Sequence, residues 1–436
     1  MNIKQILLSI PKFGHSIGLH RVQWLLKEIL SCDWRKNIDA IHITGSNGKG
    51  STAKFTASIL TKLGYQTGLL ISPHVFDVNE RISLNDKKIG DDELACLFVS
   101  LEEKMAVYHK VYPHDTFAAN EILFAIAVTH FDQNHAQAVV LEAGIGGRYD
   151  ATRILPGKTA VLTSLDLEHT NLLGNSLELI AYDKADICPC GGEIFVGNID
   201  NEVLRRLGSY CHLKNVAVKS ILDFSTVMAV SHSDTGMVAD FMVDGVEFKN
   251  IIYGLHGLHQ VENSILAIKA VRDWVNRRHG YVDEELFMVA VRKAFSKITW
   301  AGRLEKIRDN PPVFVDVAHT PDAINTVLKT VKILFKEKRV ILVVGISCDK
   351  AIEKMLSSLG SIADMVVCTK ATHGGAEPRL LKEKLHKYYP NLDIITTDNI
   401  CKAMLVADRH ANKINGSVIF VTGSFYLVAE VYLCMS

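Results

Sequence analysis

Short apolar runs alternate along this chain with stretches whose apolar residues recur at helical spacing, the two periods that separate strands from helices. Residues 38–43 (Ile-Asp-Ala-Ile-His-Ile) are apolar and β-branched and predict a buried strand, and residues 53–60 predict a helix. Before them, residues 11–32 predict an amphipathic helix. Its apolar stripe runs through 19–30, and 13–18 lead into it. Further strands are predicted over 67–72, 136–143 and 159–164, and helices over 120–131 and 177–186. Strands that are apolar on both faces and alternate with helices make a parallel α/β sheet.

The pattern changes at residues 215–255. Segments 216–218, 227–230 and 237–243, with Asp244-Gly245 as a turn, predict an antiparallel β meander. Two helices, about 258–277 and 283–297, close this half. After residue 302 the alternation restarts, with strands over 313–318, 340–345, 365–369, 393–397 and 417–422 separated by four helical segments. The expected fold class is α/β. A phosphate-loop parallel-sheet domain carrying a small β meander spans 1–298, and a Rossmann-like doubly wound domain spans 299–436.

Composition narrows the partners. At 436 residues the chain is too long for one core. Its 48 basic and 48 acidic residues cancel, which excludes the broad basic field a nucleic acid needs. There is no 18-residue apolar run, and the first residues lack the plan of a signal peptide, so neither a membrane nor export is expected. The nine cysteines are scattered and odd in number, which predicts reduced, mostly buried thiols in a cytoplasmic protein. Cys188-Pro-Cys190, the close pair, is read as loop thiols, since two further metal ligands cannot be placed near it.

Candidate chemistry begins between the first strand and helix, at Ile43-Thr-Gly-Ser-Asn-Gly-Lys-Gly-Ser-Thr52. Gly45, Gly48 and Gly50 let backbone N–H groups turn toward an anion without a Cβ in the way. Asn47 lies inside the same turn, and Lys49 adds a charge for the outer phosphates. A hydroxyl of Ser51 or Thr52 can reach a Mg²⁺ ion. The spacing is not the common Gly-x4-Gly-Lys-Ser/Thr, because Ile43 stands where the first glycine belongs and Gly50 follows the lysine.

In parallel sheets ligands bind beyond the carboxyl ends of the strands. The second strand exits into Ser72-Pro-His74, the third into 142–152 beginning at Glu142, and the fourth into Ser164-Leu-Asp-Leu-Glu-His169. A hydroxyl, a carboxylate and an imidazole therefore converge on the phosphate edge, a donor set suited to Mg²⁺. Lys184 lies on the following helix between Asp183 and Asp186. Such a lysine can contact phosphate, or react with CO₂ to give an anionic carbamate that ligates metal; residue type does not choose between these.

Taken together these segments resemble the folylpolyglutamate synthase/dihydrofolate synthase branch of the Mur ligase superfamily. The resemblance rests on Thr44–Thr52, Ser72-Pro-His74 with Asn79-Glu-Arg-Ile82, 141–152, Glu168-His-Thr-Asn-Leu-Leu-Gly174, 180–187 and Gly257-Leu-His-Gln-Val-Glu-Asn263. It continues through Ala301-Gly-Arg-Leu-Glu305, Asp316-Val-Ala-His-Thr-Pro321, Asp349-Lys350 and Gly423-Ser-Phe-Tyr426. It implies ATP-dependent amide ligation: a carboxylate takes the γ-phosphate, and the amine of an amino acid, L-glutamate in the family, displaces it from the acyl phosphate. By position Ser51, Ser72, Glu142 and His169 would hold Mg²⁺, Lys49 the phosphates, and Lys184 would match the family's carbamylated lysine. Gln260 and Asn263 match nucleotide contacts near the adenine, Arg303 a phosphate contact, and Asp316 and His319 residues on the nucleotide or acyl phosphate. The implied partners are small molecules (ATP, an amino acid and a pterin-type carboxylate), with the protein acting as a monomer.

The chain departs from the family at several places. Asp166-Leu-Glu168-His169 stands for Gly-x-Asp-His, Asp183-Lys-Ala-Asp186 for Glu-Lys-Ala-Gly, and Ala301 for Pro. Arg153 and Thr320 stand for Asn, and Asn120 for the usual Phe. Most of these lie on the acceptor side, so the alternative is a diverged paralogue that ligates an amino acid to a non-folate acid.

Overall fold

The computed structural model describes residues 3–11, 18–30, 38–233 and 235–435. Eight strands make the first sheet: β1 (Ala40–Thr44), β2 (Thr67–Leu70), β3 (Ile82–Leu84), β4 (Lys87–Lys88), β5 (Ala138–Glu142), β6 (Thr159–Leu162), β7 (Glu193–Val196) and β8 (Ala217–Ser220). Their order is β4–β3–β2–β5–β1–β6–β7–β8. From β2 through β8 all neighbours run parallel, and β3 and β4 add an antiparallel edge. Strands β1, β2, β5 and β6 are buried at every position, which is why their sequences are continuous apolar runs.

Helix Ala119–Gln133 is apolar nearly all round and buried from Glu121 to Phe131, as a helix sandwiched between layers must be. Helices His20–Ile29 and Asp91–Val111 share its core. The buried Arg21 ties the first of these to it, donating to both oxygens of Glu121 and to Asp115. A guanidinium this deep is tolerated because its donors are met by two carboxylates.

Strands β9 (Ser225–Ser233), β10 (Gly236–Val243) and β11 (Val246–Tyr253) form a three-stranded sheet in the order β11–β10–β9. Asp244 and Gly245 have φ of 50° and 78°, the two-residue turn that Asp-Gly predicts. The third sheet holds β12 (Glu305–Asp309), β13 (Pro312–Asp316), β14 (Arg339–Val344), β15 (Met365–Cys368), β16 (Asp393–Thr396) and β17 (Ser417–Thr422), in the order β12–β13–β17–β14–β15–β16. All its pairs are parallel except β12–β13. The chain folds into two compact units. One is Met1–Met228 with Asp240–Lys249 and Val261–Phe295, and the other is Ala229–Ala239 with Asn250–Gln260 and Ser296–Ser436.

The α/β class holds, with corrections in detail. Residues 217–220, expected in the meander, are instead the parallel edge strand β8; an edge strand alternates in burial and so mimics a meander segment. Strands β3, β4, β7 and β12 and the helix Asp91–Val111 were not anticipated. The first predicted helix is described over His20–Ile29, while most of its lead-in, residues 13–17, and its end at Cys32 lie outside the described residues. Cys401 and Cys434 form a disulfide between helices Ile400–Ala411 and Phe425–Met435, so the expectation of reduced thiols is corrected for this pair. No helix among the described residues is long and apolar enough to cross a membrane.

Candidate active site

Strand register brings the expected loops to one edge. Ile43 pairs with Glu142, Thr44 with Leu162, and Leu70 with Leu141, so the carboxyl ends of β1, β2, β5 and β6 stop level. Gly45 leaves β1 with φ 139°, and Thr163 Oγ1 lies 2.0 Å from where a Cβ would stand, so no side chain fits there. Gly48 (φ 84°) caps helix Lys49–Lys62 in the left-handed region, and Asn263 Oδ1 sits 2.5 Å from its Cβ position. Only glycine meets both demands without strain.

The loop is pinned from the β6 side. Ser46 N donates to Ser164 O and Asn47 N to Ser164 Oγ, both at 2.9 Å, while Thr163 Oγ1 donates to Asn47 O at 2.6 Å. Thr52 N makes its helical bond to Gly48 O, so the amides of Lys49, Gly50 and Ser51 precede the first full turn, where an anion is favoured. Lys49 Nζ folds back onto Gly45 O (2.8 Å) and Ser46 O (3.0 Å), holding its charge at the loop's mouth.

Lys184 reaches the same carbonyl. Its Nζ is buried and donates to Gly45 O and to Glu168 Oε1, both at 3.0 Å. Burial and the neighbouring charge of Lys49 lower its pKa to about 8 against the pull of Glu168. For Glu168 burial works the other way, but Lys49 and Lys184 outweigh it and hold the carboxylate at about 2. In the sequence Glu168 stands out only as part of a motif; its position on the β6 exit was the signal that could have singled it out.

The four residues expected at a metal divide by place. Glu142 ends β5, buried, and accepts from Ser72 N at 2.8 Å, which joins the β2 and β5 exits. Ser51 is buried on the helix after the loop. His169 is exposed, with φ 47°, directly after Glu168. No group of three or more His, Cys, Asp or Glu among the described residues could hold a metal ion alone. Hydroxyls, one carboxylate and one imidazole leave room for water and phosphate oxygens, the company Mg²⁺ keeps, so the donor set fits that ion.

Gln260 and Asn263 lie one turn apart at the start of helix Leu258–His279, both buried. In the second compact unit the buried Asp316 accepts from Ala318 N and Leu304 N, both at 2.8 Å. Burial pushes its pKa up to about 6, opposed by Arg303. The turn it braces has Gly302 and Leu304 at φ 67° and 46° on either side of Arg303. The Arg303 guanidinium lies 5.1 Å from the centre of the Phe425 ring, and the His319 ring meets the same ring edge-on at 5.3 Å. Sequence reasoning does not find Phe425 as a site residue; its place two residues after the Gly423 turn was the available signal.

The Mur ligase middle domain matches residues 43–271, and the Mur ligase glutamate ligase domain matches residues 302–425. The dihydrofolate synthase/folylpolyglutamate synthase of Bacillus subtilis is 31% identical over 81% of this chain and 81% of its own. The chain belongs to that family of Mur ligases. Folylpolyglutamate synthase of Lacticaseibacillus casei is 27% identical over 90% of this chain and 88% of its own. Mycobacterium tuberculosis folylpolyglutamate synthase, solved with ADP and AMPPCP, superposes with a TM-score of 0.89 at 26% identity, covering 100% of this Mur ligase and 98% of that chain. The E. coli FolC structure with DHPP and ADP gives 0.83 at 25% identity, covering 99% and 96%.

Proposed function

We propose that this Mur ligase joins L-glutamate to a pterin-type carboxylate, dihydropteroate or a folate, with ATP as the source of an acyl phosphate. The observation that carries this reading is the convergence of Lys49 and Lys184 on the Gly45 carbonyl at the mouth of a phosphate loop. Phosphoryl transfer needs positioning and charge neutralisation more than covalent help from the protein. The loop amides and Lys49 bind the transferred phosphate's oxygens, while Gln260 and Asn263 hold the nucleotide base. Ser51, Ser72, Glu142 and His169 would hold Mg²⁺, which when bound would neutralise phosphate charge. Arg303 contacts phosphate, and Asp316 fixes the turn that carries it. His319 acts at the acyl phosphate.

Lys184 serves as a carbamate in this reading. A pKa lowered to about 8 leaves free amine near neutral pH. That amine attacks CO₂, a nitrogen–carbon bond forms and the nitrogen's proton leaves to solvent. The resulting anion lies beside Lys49.

The ligase reading predicts that sustained ADP release needs acid and amino acid together. The test is ADP release from purified protein with ATP and Mg²⁺, adding dihydropteroate and L-glutamate singly and together, with mass spectrometry of products. Equal release with neither present overturns it in favour of a plain nucleotide hydrolase.

A further inference from the structure

Arg303 is carried by a turn whose backbone is left-handed on both sides of it. Gly302 and Leu304 have φ of 67° and 46°, and a leucine enters that region only where its surroundings force it. Asp316 braces the Leu304 side through the Leu304 amide. On the Gly302 side a second carboxylate does the same, for Glu305 Oε2 accepts from Gly302 N at 2.9 Å. That oxygen also accepts from the Tyr432 hydroxyl, whose own oxygen lies 3.3 Å from the Gly302 amide. Three groups therefore meet one residue before Arg303. The guanidinium is linked to them, since Arg303 Nη1 donates back to Gly302 O at 3.4 Å. Burial, and after it the Glu305 carboxylate, push the Tyr432 pKa up, so the hydroxyl keeps its proton and remains a donor.

Tyr432 is brought there by its helix. Phe425, Val428 and Tyr432 stand at i, i+3 and i+7 and so share one face of helix Phe425–Met435. Phe425 lies under the guanidinium at 5.1 Å. Val428 packs on Gly302, its Cγ1 3.2 Å from where a Cβ would stand. Two residues beyond Tyr432, the Cys434–Cys401 disulfide ties down the last turn, where a helix otherwise frays.

We propose that Tyr432 is a positioning residue for Arg303: through Glu305 and the Gly302 amide, its hydroxyl fixes the turn that aims the guanidinium. This rests on the ligase reading, in which Arg303 contacts phosphate. Tyr432 acts through Arg303 and not on the substrates. A hydroxyl bonded to a carboxylate is held more strongly than a neutral pair, and a small misplacement of a charged group is costly in rate.

The test measures acyl-phosphate formation in the first turnover by rapid quench, with ATP, Mg²⁺ and dihydropteroate, beside equilibrium ATP binding. Tyr432→Phe keeps the ring and removes the hydroxyl. Glu305→Gln keeps an acceptor for the Gly302 amide and removes the charge that the hydroxyl answers, so each variant covers misfolding of the other. Both are expected to slow the first turnover by about 10-fold, with ATP affinity unchanged. Made in the Arg303→Ala protein, Tyr432→Phe is expected to change the rate by less than about 2-fold, because the group it positions is gone. A tyrosine that only stabilised the fold would lower both backgrounds alike. A wild-type rate in Tyr432→Phe, or an equal loss with and without Arg303, overturns this inference alone. Wild-type protein that releases ADP equally with and without the acid overturns the ligase reading and this inference with it.

Discussion

The two clusters of candidate residues are held in place by different physics. Around the phosphate loop, charge is buried and answered by charge. With its amine unmodified, Lys184 forms an ion pair with Glu168 beside Lys49, and the loop backbone is bonded to Thr163 and Ser164 on the neighbouring strand exit. Around Arg303 the support includes a carboxylate and a ring: Asp316 braces the turn through two backbone amides, and Phe425 lies under Arg303 and meets His319 edge-on. A buried pair punishes the loss of either partner, since the survivor is left uncompensated in low dielectric. A cation over an aromatic ring has a smaller stake. The first cluster is therefore expected to fail abruptly under mutation and the second by degrees.

The largest effect should come from Lys184→Ala, a loss of about 10²- to 10³-fold in ligation rate. Partial recovery on adding small carboxylic acids would identify the missing group as a carbamate. Turnover equal to wild type would refute any role for it and remove the contrast between the clusters.

Arg303→Ala is expected to lower acyl-phosphate formation by about 10- to 100-fold, the worth of one charge-assisted contact, while leaving nucleotide affinity nearly unchanged. Rapid-quench measurement of the first turnover, set against equilibrium ATP binding, separates the two. Equal losses in both would make Arg303 a plain binding residue.

The smallest effect concerns stability. Asp316→Asn leaves a single acceptor oxygen for two amides, and should cost about 1–3 kcal/mol in thermal or chaotrope unfolding. The pH dependence has a definite sign. A carboxyl whose folded pKa is raised to about 6 stabilises the fold fully below the ordinary carboxylate range, and that contribution is lost as pH rises through about 6. Wild-type stability should thus fall across that interval, and the Asn variant should be flatter there. Parallel profiles would show that Asp316 does not titrate in this window.

The α/β class, the central strands and the phosphate loop are legible in the order of residues alone. Strands buried on both faces must be continuous apolar runs, and a loop that turns amides toward an anion must be rich in glycine; both requirements are written locally. Gly45 and Gly48 could be read from sequence because turning amides toward an anion leaves no place for a Cβ; their crowding by Thr163 and Asn263 belongs to the fold. Edge strands escaped for the complementary reason. Residues 217–220 are half exposed and carry the alternation of any surface strand, so only pairing with β7 reveals their place. The Cys401–Cys434 bridge was equally invisible, since 33 residues of sequence separate two thiols that two helices bring together. Pairing also decided the chemistry of Lys184. From sequence it was a helical lysine between two aspartates, open to several roles. Burial against Gly45 O, with Glu168 on one side and the charge of Lys49 on the other, is what lowers its pKa. Desolvation and opposing charge depend on distance in space, and three residues this far apart in the chain acquire that distance only in the folded protein.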